Sequence, residues 1–234
     1  MFVSLLTYTP EAERVVATAA RLCYADVDCR ALQERSTPED DRRMIAKVLT
    51  IGHHGVLEHA VFSFVAEGIS RALTHQLVRH RLASFAQQSQ RYVAFDGGFD
   101  YEVPPAIAAN PELSSRYNHE MQRLADFYAD LRQAGIAAED ARFILPNACH
   151  SRLIITMNAR ELRHFFRLRC CNRAQWEIRK LATAMLIEVS RVAPALFTNA
   201  GPGCLAGACP EGEMSCGKAA DIRRKFADLL PPAP

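Results

Sequence analysis

The period of the hydrophobic pattern changes several times along the chain, and each change marks an element. Residues 2–8, FVSLLTY, read as a short strand. After Pro10, Val15, Val16, Ala19 and Leu22 fall at helical spacing. Thr37-Pro38-Glu39-Asp40 supplies an N-cap, a first-turn proline and early acids, which predicts a helix to about residue 51. Residues 61–66 read as a strand with Phe62 and Phe64 on one face, and Ser70 is placed to cap a helix carrying Leu73, Leu77 and Val78. Asn110-Pro111 opens a long amphipathic helix ending at Gly135, and residues 153–157 read as another strand. Asn158 with Glu161 and Asn172 with Gln175 predict capping boxes, the first for a short helix and the second for a long one reaching about residue 192. Strands and helices mix without βαβ regularity. The expected class is therefore α+β, a single mixed domain of helices and a small, antiparallel-rich sheet.

The pattern fails near the C-terminus. Residues 201–217 hold five Gly, three Cys and two Pro in 17 positions, which argues against regular structure, and residues 221–230 read as one further short helix. The expected division is a core domain over residues 1–200 and a cysteine-rich tail over 201–234.

Composition narrows the class. Hydrophobic residues make up 49% of the 234 positions and charged residues 23%, so a folded core is expected. No apolar run reaches the ~18 residues of a membrane span, and MFVSLLTYTPEAER lacks the basic start and small-residue cleavage site of a signal peptide. Eight cysteines without an export signal favour reduced thiols or metal ligands, and a cytoplasmic location. The net charge of +2 gives no reason to expect general nucleic-acid binding.

That small net charge conceals a skewed distribution. No acid occurs from residue 68 to 95, yet Arg71, Arg79, Arg81 and Arg91 lie there with His75 and His80. From 142 to 180, nine Lys or Arg residues face only Glu161 and Glu177. Arginine predominates, and its planar fork of donors suits bidentate binding of phosphate or a heterocycle edge. Two readings are open: a site for phosphorylated, planar ligands, or solvated helix faces and partners for Glu39, Asp40 and Asp41. The segment RHRLASFAQQSQRY is harder to assign to plain surface. Arg79, His80 and Arg81 are contiguous and cannot share one helix face, which fits a helix end turning into a loop. Ser84, Gln87, Gln88, Ser89, Gln90 and Arg91 then offer hydrogen-bonding groups without an acid, an inventory that recognises oxygen-rich ligands.

Arg79-His80-Arg81, seven residues, then Ser89 resembles the RHR-x7-S signature of the flavin-dependent thymidylate synthases. Matches in the right order extend over roughly residues 15–198: Gly52-His53, Glu58-His59, Ala141-Arg142, Leu145-Pro146, Asn158-Ala159-Arg160 and Ala174-Gln175-Trp176-Glu177-Ile178. The resemblance implies an α+β homotetramer with sites at subunit junctions. It implies reductive methylation of dUMP to dTMP, with carbon from methylenetetrahydrofolate and hydride from FAD reduced by NADPH. It implies that Arg79, His80 and Arg81 hold FAD, with Asn158, Ala159, Arg160 and His164 forming another part of the flavin site and Gly55 and Glu58 close by. Gln76 and Arg79, with Gln87, Gln88, Ser89, Gln90 and Arg91, would wrap dUMP, and Arg91 and Arg142 would take its phosphate. Arg169 would stand against the uracil as the catalytic cation, stabilising anionic charge on the ring.

No covalent nucleophile is needed. Ser89 has no base beside it in sequence and is assigned to binding, and Cys149, between a Pro-Asn turn and a strand, reads as structural. Some members carry Glu at the position of Gln87 and Asn at that of Ala86, and Gly55 lacks a hydroxyl that some relatives offer the flavin.

Cys204-x4-Cys209-x6-Cys216 lies beyond the catalytic core. With a fourth ligand from Cys171 or Cys170, Cys171 being preferred because it would link the site to the segment holding Arg169 and Arg173, these thiols fit zinc or an iron–sulfur cluster, although the spacing matches neither a CxxC knuckle nor a ferredoxin run. The other reading is a flexible tail of free thiols. His53, His54, Glu58 and His59 are also grouped, but HHGVLEH is not the HExxH order of a zinc helix. An arginine-rich RNA- or phosphate-binding module with a metal-binding tail is the competing function.

Overall fold

In a computed structural model that describes residues 1–231, four strands form one sheet in the order β1-β2-β4-β3. The strands are β1 (Phe2–Tyr8), β2 (Val61–Ser70), β3 (Ala83–Gln87) and β4 (His150–Asn158). Thr9 N–H bonds Val61 C=O at one end of β1, and Met1 lies beside Gly68 at the other, so β1 and β2 are antiparallel. Ser63 pairs with Thr156, and Arg71 N–H reaches Cys149 C=O, so β2 and β4 are antiparallel too.

The helices are α1 (Ala12–Leu22), α2 (Cys29–Arg35), α3 (Pro38–Ile51), α4 (Arg71–Leu77), α5 (Pro105–Ala108), α6 (Pro111–Gln133), α7 (Ala138–Ala141), α8 (Ala159–Arg169), α9 (Trp176–Val192) and α10 (Ala219–Leu229). The expected α+β class holds. Local chemistry explains most boundaries. Thr37 and Asp40 form a reciprocal capping box on α3, and Gly52, at φ 77°, closes that helix in the left-handed conformation. Ser70 accepts Leu73 N–H, and Asn110 accepts Leu113 N–H.

Three boundaries differ from expectation. The long helix α9 is capped by Gln175, whose side chain accepts the Glu177 and Ile178 N–H groups, while Asn172 instead accepts from Arg179. β2 and β4 run several residues past their apolar cores, because ladder pairing continues where the side chains turn polar. β3 forms where the polar run suggested a loop, since Ala, Ser and Gln obscure its alternation. The short helices α2, α5 and α7 carry no apolar stripe. Asp28, for example, starts α2 by accepting Ala31 N–H, with no buried residue in the helix.

The chain divides into two compact units. One comprises Met1–Phe2, Val65–Arg79 and Phe85–Ile154, packed around Leu73, Leu77 and a buried Tyr128 that stacks edge-on with Phe95. The other comprises Val3–Phe64, His80–Ser84 and the chain from Ile155 onward. Its core joins Phe62, Phe166 and Phe197 edge to face. There α1 packs on α3, and Arg21 bonds the buried Asp41 carboxylate at 2.5 Å.

The C-terminal segment belongs to this second unit. Ile222 and Phe226 of α10 are buried, and Arg223 donates to the carbonyls of Cys204 and Gly207, which fastens the loop before it. Gly201 sits at φ +135°, where a Cβ would lie 2.7 Å from Leu205 and 3.5 Å from Phe226. Gly201→Ala is expected to lower the stability of the fold by about 1–3 kcal/mol. Urea unfolding with matched m-values measures this, and an unchanged midpoint would refute it.

Candidate active site

The second unit contains a cavity of ≈ 750 Å³, within the range of small-molecule and cofactor sites. Helix α8 makes one wall, and its sequence explains how. Asn158 caps the helix by accepting Glu161 N–H at 2.9 Å, while Leu162, Phe165 and Phe166 pack inward. Arg160, Arg163, His164 and Arg167, at i, i+3, i+4 and i+7, therefore fall on one face and line the cavity. His54, Leu57 and Leu82 contribute to it, as do Gly201, Pro202 and Gly203. Arg163 is largely occupied in structure: it donates to the carbonyls of Leu196 and Thr198, and burial lowers its pKa to about 10.

Of the residues expected at the flavin, Arg160 and His164 line this cavity. Glu58, on the 3₁₀ turn His54–His59, pairs with Arg160 at 2.6 Å, and Gly55 on the same turn faces open space. Ala159 is buried and donates to Ala60 C=O, whereas Arg79 and Arg81 are exposed. The wall formed by residues 201–203 escaped the sequence reading, and Arg163 and Arg167 carried a signal only through their helical spacing with Arg160.

His80 is different. It is buried edge-on against Phe165, and both ring nitrogens are engaged. Arg169 Nε–H donates to His80 Nε2 at 3.1 Å, and His80 Nδ1 meets the buried Glu161 carboxylate at 3.0 Å. An arginine Nε only donates, so Nε2 must accept and Nδ1–H must donate to Glu161. The imidazole is therefore neutral. Burial holds its pKa below the ordinary value, with Arg169 and His164 adding to that effect and Glu161 opposing it. His80, Glu161 and His164 are also the one His/Cys/Asp/Glu trio among the described residues with ligand atoms mutually within 4.8 Å. Both His80 nitrogens are taken by Glu161 and Arg169, and His164 meets the His80 ring edge-on at 6.0 Å, so His80 offers no lone pair to a metal. His53, His54, Glu58 and His59 do not form such a group among the described residues.

The residues expected at the nucleotide lie in the first unit, apart from Arg169. Arg91 reaches the Glu139 carboxylate at 2.6 Å and Arg142 Nε donates to the Glu139 carbonyl, so one residue gathers both guanidinium groups. Arg71, which sequence reading placed only in a basic stretch, adds a third cation: its pKa is lowered mainly by burial and also by Arg142. Gln76 is half-buried on α4. Gln87 donates to Ser151 at 3.0 Å, Gln88 N–H bonds Arg152 C=O, and Gln90 donates to Cys149 Sγ at 3.7 Å. Ser89 Oγ accepts Arg91 N–H at 3.2 Å, a contact that shapes the loop rather than activating a hydroxyl. Cys149 is buried and its thiol is pushed up to about 11, chiefly by desolvation, which leaves it protonated and unreactive at neutral pH.

An α+β chain with arginine and histidine side chains lining a large cavity has the character of an enzyme that takes a charged small molecule. Sequence comparison makes this specific. A family model described as "Thymidylate synthase complementing protein" matches residues 4–195. The chain is 54% identical to the flavin-dependent thymidylate synthase of Geobacter sulfurreducens over 230 residues, covering 98% of this chain and 99% of that protein. It is 48% identical to the enzyme of the same name from Clostridium tetani, covering 96% of each, and 41% identical to that from Pyrococcus abyssi, covering 91% and 90%. The chain belongs to the flavin-dependent thymidylate synthase family. The competing reading as an arginine-rich RNA- or phosphate-binding module is set aside, because an enzyme family accounts for residues 4–195, basic segments included.

The neutral His80 has a consequence for stability. The unfolded chain protonates this ring near its ordinary value of 6.5, while the folded state resists the proton. The histidine's contribution is therefore complete above that value and is lost as pH falls through it toward the lowered native pKa. Unfolding free energy should decline from about pH 7 to about pH 5. His80→Asn, which keeps an amide for Glu161, should flatten that decline; an identical slope in the variant would refute the assignment.

Proposed function

We propose that the chain carries out reductive methylation of dUMP to dTMP, with methylenetetrahydrofolate as carbon donor and NADPH as reductant. The observation that carries this reading is the ≈ 750 Å³ cavity, lined by guanidinium groups and apolar side chains on elements bearing the family's motif residues. Such a lining suits a flavin dinucleotide, whose phosphates need cations and whose ring system needs apolar contact. Arg160 and His164 would hold FAD from α8, with Gly55 and Glu58 on the adjoining turn, Asn158 and Ala159 at the helix start, and Arg79, His80 and Arg81 from the RHR segment. Bound there, FAD reduced by NADPH supplies the hydride.

This chain's own residues bind, orient and polarise. Arg91 and Arg142 take the dUMP phosphate, exchanging contacts with Glu139 for charge-assisted bonds to the ligand. Gln76, Arg79, Gln87, Gln88, Ser89 and Gln90 supply polar contacts to the nucleoside. Arg169 stabilises negative charge on the uracil, and the neutral His80, held by Glu161, sets the orientation of its guanidinium. No covalent nucleophile takes part, which accords with a loop-shaping Ser89 and a buried, protonated Cys149.

The same reading makes the protein a homotetramer with sites completed across subunits. In support, Leu82, Tyr92 and Phe143 are 72%, 78% and 82% exposed, an unfavourable state for large apolar side chains in an isolated chain. It also places the protein in the cytoplasm, in keeping with eight free cysteines. No helix among the described residues is long and apolar enough to cross a membrane.

The decisive experiment is anaerobic turnover of dUMP with methylenetetrahydrofolate and NADPH. The protein should purify yellow, absorb near ~450 nm and bleach on adding NADPH. A colourless protein that cannot be reconstituted with FAD and forms no dTMP would overturn the proposal. Arg169→Ala should lower kcat by about 10²–10³-fold while retaining flavin. Near-normal turnover in that variant would refute the role given to Arg169.

A further inference from the structure

Four cysteines take no part in the proposed reaction, yet the fold brings them to one place. Cys204 lies on the 3₁₀ turn Gly203–Leu205, Cys209 and Cys216 flank the turn Gly212–Met214, and Cys171 follows the C-terminal end of α8. All four line a single cavity of ≈ 140 Å³ that shares Arg167, Pro202, Gly203 and Pro210 with the lining of the larger one. The loop is folded tightly to achieve this: a Cβ on Gly203 would meet Pro210 at 2.7 Å, the approach that draws Cys204 and Cys209 toward each other. Arg173 braces the far side by donating to Met214 C=O.

Cys170, next to Cys171, is buried elsewhere with a hydrogen bond to Thr183. In keeping with the preference for Cys171, the helix end directs that residue and not Cys170 into the cavity. Arg167 and Arg173 line it as well and supply positive charge against deprotonated sulfur.

We propose that Cys171, Cys204, Cys209 and Cys216 ligate an iron–sulfur cluster of the four-iron type, which fastens residues 201–217 to the end of α8. The size of the opening selects the cluster over a single zinc ion. Tetrahedral zinc with bonds of about 2.3 Å draws its four sulfurs to about 3.8 Å from one another. Among the described residues no three of these sulfurs lie mutually within 4.8 Å, and a cavity stands between them. A polynuclear cluster spreads four thiolates around such a space. Each thiol loses its proton on ligation, so assembly releases protons and couples cluster binding to the folding of the loop.

The test uses the full chain, purified without oxygen and reconstituted with ferrous iron and sulfide. Iron, acid-labile sulfide, zinc and flavin are measured on one sample, with low-temperature EPR after dithionite reduction. The expected result is about four iron and four sulfide per chain, a cluster EPR signal and no stoichiometric zinc. Cys209→Ser and Cys216→Ser should each reduce iron content at least about fivefold, whereas Cys29→Ser and Cys170→Ala should leave it unchanged. Absence of iron and sulfide after reconstitution overturns the proposal. So does one zinc per chain in their place, and so does iron that survives Cys171→Ser but is lost in Cys170→Ala. Flavin content is read separately, so failure of the cluster assignment does not resemble failure of the catalytic one.

Discussion

A buried carboxylate, a neutral imidazole and a guanidinium, hydrogen-bonded in series, organise the second unit. Glu161 comes from the first turn of α8, Arg169 from its last residue, and His80 from the RHR segment far away in sequence. Removing such groups from water is costly unless each finds a partner. Here each partner fixes the next: Glu161 sets the tautomer of His80, and the tautomer presents an acceptor to Arg169. The motif histidine thus acts inside the protein while its arginine neighbours, Arg79 and Arg81, remain exposed.

Helix α8 converts that constraint into a surface. With Leu162, Phe165 and Phe166 committed to the core, the 3.6-residue period leaves Arg160, His164 and Arg167 no choice but the opposite face. Gly201, Pro202 and Gly203 complete the cavity, where small residues let backbone come close to the arginine face. At the far end of the same helix Cys171 begins a second, smaller cavity. One helix therefore links the histidine network, the large cavity and the thiol cluster, and a change at either end bears on the others through a rigid element.

The first unit handles charge differently. Arg91 and Arg142 both converge on Glu139, while the buried Arg71 feels Arg142 as a repulsive neighbour. A lone, half-exposed carboxylate is a weak counter-ion for several guanidinium groups, since exposed ion pairs are worth at most about 1 kcal/mol. On the proposed reading, the phosphate of dUMP would offer the same donors more oxygens and more charge.

The sequence by itself determined the α+β class, the strands at 2–8 and 61–66, the Thr37, Ser70, Asn110 and Asn158 caps, and the RHR-x7-S register that places the chain in its family. These depend on local spacing, which is read within a few residues. Tertiary structure alone decided the rest. It assigned the cap of α9 to Gln175 over Asn172, turned ASFAQ into a strand, split the chain into two units and seated the C-terminal segment in one of them. It also buried His80 between Glu161 and Arg169. Apart from the α9 cap, these outcomes join residues tens of positions apart, where burial and hydrogen-bond partners, not intrinsic preference, set the energy. A period in the sequence can say which face a side chain takes, but only packing says what meets it there.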